Sequence, residues 1–146
     1  MFNPNKEHYD HKNPKAVEYI RHWRKEAKKE NIKYLYFKFY EHNITVAYVV
    51  SVRDEPDKRE KQHIIKAAAT VCAKKEKHNK GLARAITSER VISQWNHPLF
   101  FMFSLTRSRL SHVEDILENV VSIELEKLAL IGNYSVPQTL RKEFTF

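Results

Sequence analysis

The chain has 146 residues, of which 42% are hydrophobic and 30% charged, with a single cysteine and a net charge of +8. That length and mixture point to one globular α+β domain over 1–146 and exclude both an intrinsically disordered chain and a disulfide-stapled scaffold. No apolar run nears the roughly 20 residues that span a bilayer. The stretch "MFNPNKEHYDHKNPK" lacks the apolar core of a signal peptide, so a cytoplasmic protein without membrane association is expected. Residues 1–93 hold 21 Lys and Arg against 12 Asp and Glu, whereas residues 94–146 hold 5 against 6. A field that attracts phosphates therefore belongs to the first two thirds.

Asn13-Pro14 is a helix start: asparagine accepts from free amides, and proline at the first helical position gives up no intrahelical bond. The helix is predicted over 14–30, with Ala16, Ile20, Trp23 and Ala27 on one stripe and Arg21, Arg24, Lys25, Lys28 and Lys29 outside it. In "IKYLYFKFY", Leu35, Phe37 and Phe39 alternate with Tyr34, Tyr36, Lys38 and Tyr40. That two-residue period predicts a strand with one apolar and one tyrosine-rich face. Glu41-His42-Asn43 should then turn the chain into "ITVAYVVSVR", giving an antiparallel hairpin. A charged loop, "DEPDKREKQ", contains Pro56 and leads to a third strand, "HIIKAAATVCA", whose alanines also suit a helix.

From about Glu76 a helix is expected, with Leu82, Ala85, Ile86 and Ile92 turned inward. Asn79, Ala83, Ile86 and Arg90 share a neighbouring stripe, and Arg84 points elsewhere. Pro98 should stop this helix, and the wholly apolar "LFFMFSL" should be a buried strand. Ser111 and Glu114 fit the capping box of a long C-terminal helix, with Val113, Leu117, Val120, Leu128 and Ile131 on its apolar face and Gly132 at its end.

Catalytic signatures are missing. There is no Walker loop, dinucleotide fingerprint or G-x-S-x-G, and the eight histidines show no zinc spacing. Cys72, at the end of an apolar run, is read as a small buried hydrophobe. The expectation is a binding protein rather than an enzyme, with no catalytic residue, metal or cofactor. One candidate partner is single-stranded nucleic acid, because Tyr34, Tyr36, Tyr40 and Tyr48 interleave with lysine and offer stacking surfaces in a positive field.

The segment "CAKKEKHNKGLARAITSER", Cys72 to Arg90, resembles a motif of the anti-Thoeris cyclic-nucleotide sponges, small bacteriophage proteins. It carries Glu76, His78, Ala83 and Glu89 where that motif has an aspartate, a phenylalanine and two glycines. The resemblance implies a homo-oligomer, working in a bacterial host's cytoplasm, that sequesters a cyclic ADP-ribose isomer or a cyclic dinucleotide without turnover and so disarms immune signalling. It also implies ligand contacts from Lys75, Asn79, Arg84 and Arg90, with His78 stacking more weakly than phenylalanine would. Nucleic acid, or a host protein to be modulated, stands as the alternative partner. Arg107 and Arg109, just after "LFFMFSL", are expected to reach a bound phosphate from another segment or a neighbouring subunit.

Overall fold

A computed structural model of the chain describes residues 13–53, 61–72 and 80–131. The elements run α1 (Pro14–Lys29), β1 (Lys33–Phe39), β2 (His42–Arg53), β3 (Gln62–Cys72), α2 (Lys80–Ile92), β4 (Phe100–Thr106), the single turn α3 (Arg107–Leu110) and α4 (Val113–Ile131). All four strands join one antiparallel sheet in the order β1-β2-β3-β4. The α+β class expected from the sequence is the observed one. The loop with Pro56, the segment 73–79, Gly132 and the tail after it lie outside the described residues.

Side-chain alternation sorts the strands onto two faces. Phe39, Ile44, Val46, Tyr48, Ile65, Ala67, Ala69 and Val71 share one buried face with Val113, Leu117, Val121 and Leu125 of α4, which repeat at four-residue intervals. On the other face α2 settles against Ala47 and Ala68 through Val91 and Ile92. α1 then packs on α2, where Ala16, Tyr19, Ile20 and Trp23 meet Leu82, Ala85 and Ile86. The helix-forming alanines of β3 belong in a strand here because Ala68, paired with Ala47, leaves room for α2 to lie close to the sheet.

Local rules explain the boundaries. Asn13 caps α1, its side chain accepting from the Lys15 amide at 3.0 Å. The helix ends with Asn31 at φ 56°, and the Ile32 amide reaches back to the Ala27 carbonyl at 3.0 Å. This is the left-handed C-terminal cap that asparagine tolerates almost as well as glycine.

Four expectations are corrected. The hairpin turns at Tyr40 and Glu41, both at positive φ (47° and 70°), so His42 is already a buried strand residue. Two consecutive left-handed residues match the twist of the flanking strands. α2 stops at Ile92 rather than near Pro98, because Gln94 takes φ 53° and the Trp95 amide closes onto the Arg90 carbonyl at 2.9 Å. The "LFFMFSL" run supplies an edge strand, paired only with β3 among the described residues, and its Met102 is 52% exposed. The capping box at Ser111 gives way to a start at Val113, since the Glu114 side chain instead accepts from the Tyr48 hydroxyl at 2.8 Å. No described helix is long and apolar enough to cross a membrane.

A basic groove between α1, α2 and β1

The docking of α1 on α2 leaves a groove of about 650 Å³ along the β1 edge of the sheet. Arg21, Arg24, Lys25 and Lys28 of α1 line one side, Gly81, Arg84 and Ala85 of α2 the other, and Ile32 and Tyr34 lie between them. The spacing i, i+3, i+4, i+7 places the four α1 cations on one helical face, spanning roughly 10 Å along the axis. Ile20 and Ala27 of the neighbouring stripe reach the same groove, so the helix presents apolar surface and charge side by side. Among the described residues no aspartate or glutamate lines it, and none of the five cations pairs with a carboxylate. Like charges gathered without counter-charge repel each other until an anion arrives.

The aromatic side of the groove is built by β1. The Tyr34 hydroxyl is 2.6 Å from the Ser88 hydroxyl, which locks its ring against α2. Burial pushes its phenol up from the ordinary value, although the Ser88 hydrogen bond and the nearby Arg84 and Arg24 oppose that shift, so it stays protonated at neutral pH. Arg84 is exposed but held: its Nε donates to the Tyr36 hydroxyl, and its guanidinium lies 5.5 Å from the centroids of both Tyr34 and Tyr36. Lys80 sits over Tyr36 at 5.2 Å. A guanidinium pinned on aromatic rings keeps its remaining donors aimed outward at little further entropic cost.

The site residues expected from the sequence have different fates. Arg84 lies in the groove, whereas Lys75, His78 and Asn79 fall outside the described residues. Arg90 points inward, 7% exposed, with its Nη1 donating to the Thr70 hydroxyl at 3.1 Å and the Ala69 carbonyl at 3.3 Å. Its guanidinium covers Trp95 at 4.0 Å, and Trp95 stacks on His97 at 4.0 Å. Burial lowers its pKa to about 10, which leaves it cationic at neutral pH. Arg107 and Arg109 are exposed at the far end of β4. The strand register puts Phe100 in the row of Tyr34, so Thr106 is six positions along and three strands across, roughly 20 Å by 14 Å. Within one chain they do not meet Arg84.

The sequence places Arg21, Arg24, Lys25 and Lys28 on the basic exterior of α1, outside its apolar stripe, without marking them as a site. The signal that finds them is their clustering beside Ile20 and Ala27, which the buried stripe must share with any cavity formed next to it. The four tyrosines form no single platform: Tyr48, paired with Lys33, faces α4, while Tyr34 faces α2 and Tyr40 is in the turn.

The column behind Arg90 carries a pH dependence. Burial, and next the Arg90 charge, hold the His97 pKa down at about 4, and its Nδ1 accepts from the Leu99 amide at 3.0 Å. The folded state thus binds fewer protons than the unfolded one between pH 4 and about 6.5, and stability falls as pH drops through that window. Replacing His97 with glutamine should flatten this segment of a Tm-against-pH curve relative to the parent. Parallel curves would show that His97 does not carry the effect. Comparison of the chain with protein-family models, with curated proteins and with solved structures returns no match, so its function is read from the chemistry of this groove.

Proposed function

We propose that the groove binds the phosphates of a cyclic nucleotide, a cyclic ADP-ribose isomer or a cyclic dinucleotide, and retains it without turnover. One observation carries the reading: five cations, none with a carboxylate partner among the described residues, converge on a cavity with an aromatic and aliphatic wall. Arginine forks suit phosphate oxygens, and the Tyr34 ring with Ile20 and Ile32 suits the flat face of a base. The volume, about 650 Å³, lies within the range of small-ligand pockets. The lining offers cations and apolar surface rather than a paired acid and base, which favours retention over reaction. The resemblance of Cys72–Arg90 to the phage sponges supports the same ligand class, and with it a role in disarming a nucleotide-signalled immune response in a bacterial cytoplasm.

Native mass spectrometry of the full chain with cyclic ADP-ribose isomers and cyclic dinucleotides tests this. A stoichiometric complex that releases unchanged nucleotide on heating is the expected result. Altered nucleotide would make the protein an enzyme, and absence of binding across the panel would discard the reading. Single-stranded nucleic acid would reveal itself by affinity falling steeply with salt, each contacted phosphate adding about 0.7 to the logarithmic slope.

A further inference from the structure

The two edges of the sheet are treated differently. β1 carries exposed Lys33 and Lys38, and Arg84 and Lys80 lie over its tyrosines. Among the described residues β4 pairs only with β3, and its sequence FFMFSLT has no charge, no proline and no glycine. Met102 is 52% exposed, Ser104 is exposed, and Phe100, Phe101 and Phe103 are half-buried. Edge strands that stay single are usually blunted by lysine, proline or a bulge, because their free amides and carbonyls template further pairing. Among the described residues β4 has no such protection.

We propose that β4 is a dimer edge, pairing antiparallel with β4 of a second copy of the chain to make one continuous eight-stranded sheet. Two features select a second copy as the occupant. The strand has seven residues centred on Phe103, so a two-fold axis there overlaps its whole length, setting Phe100 opposite Thr106 of the other copy and Met102 opposite its Ser104. The other feature is charge. Each chain bears +8, but the cations of the groove sit three strands from β4, beyond the roughly 8 Å over which physiological salt screens charge, and the cations nearer the edge, Lys66 one strand in and Arg107 and Arg109 past its end, lie off the seven paired residues. The neutral edge is where two basic molecules can meet. Arg107 of the two copies would lie at opposite ends of the paired strands, roughly 26 Å apart.

Sedimentation equilibrium of the full chain is expected to give a concentration-dependent mass approaching twice 17.4 kDa. Met102→Lys combined with Ser104→Lys sets cations face to face and should raise the dimer dissociation constant at least about tenfold, as like charges opposite one another in a ladder do. Met102→Glu combined with Ser104→Lys sets opposite charges there and should keep the dimer. Both positions are exposed, and circular dichroism melts confirm that each variant folds. A parent chain that is monomeric at about 100 μM overturns the proposal. A dimer indifferent to both double variants overturns it equally, because the interface then lies elsewhere.

Discussion

Replacing Arg84 with alanine should weaken binding of a cyclic dinucleotide by roughly 10- to 100-fold, the loss of one charge-assisted contact of about 1.5–3 kcal/mol. The side chain is exposed, so Tm should barely move. Three features make it the strongest lever in the groove: it faces the four cations of α1, it is braced by the Tyr36 hydroxyl, and its guanidinium rests on two aromatic rings. Arg84→Lys keeps the charge but gives up the planar fork and the ring contact, so it should recover only part of the loss. Tyr36→Phe removes the brace alone and should cost less than Arg84→Ala. Arg107→Ala with Arg109→Ala serves as the control, since those residues lie far from the groove in the same chain. Equal affinity for the Arg84→Ala variant and the parent, by titration calorimetry, would remove Arg84 from the site.

Arg90→Ala should act in the opposite manner, lowering stability rather than affinity. The side chain fills buried space between α2 and β3, donates to Thr70 and Ala69, and covers Trp95. Its truncation leaves a cavity and a carbonyl without its donor, together worth about 3 kcal/mol. For a chain of this size that corresponds to a fall in Tm of roughly 6–12 °C. Arg90→Lys keeps a cation but not the flat stack, and should fall between. Thermal melts together with ligand titration separate the roles: a phosphate contact from Arg90 would instead show as lost affinity at unchanged Tm.

Much of the fold was legible because single periodicities decide it. The alternation of Leu35, Phe37 and Phe39 with Tyr34 and Tyr36 placed β1 and both its faces, and Asn13-Pro14 placed the start of α1 to the residue. The errors share one cause, a local signal overridden by tertiary geometry. The run "LFFMFSL" reads as buried in any window, but whether it has one neighbour or two depends on sheet order, which no short stretch encodes. Pro98 marks a stop, yet the left-handed turn at Gln94 ends the helix earlier, at a residue that rarely advertises one.

The site was legible only in part for a related reason. Arg84 stood out by pointing away from the apolar stripe of α2, whereas Arg90 shared a stripe with Ile86 and was turned into the core with it. The α1 cations showed only as a basic exterior because a helical wheel does not show that α2 and β1 close a groove beside them. Convergence of three segments is a property of packing, not of any one segment.

The most direct test of the central claim is a ¹⁵N–¹H correlation titration of the labelled full chain with cyclic di-nucleotide and cyclic ADP-ribose probes. Saturable shifts concentrated at Arg24, Lys28, Tyr34, Gly81 and Arg84, with Ile123 of α4 unmoved, are the expected result. Saturable shifts that bypass the groove and fall elsewhere on the chain would contradict it.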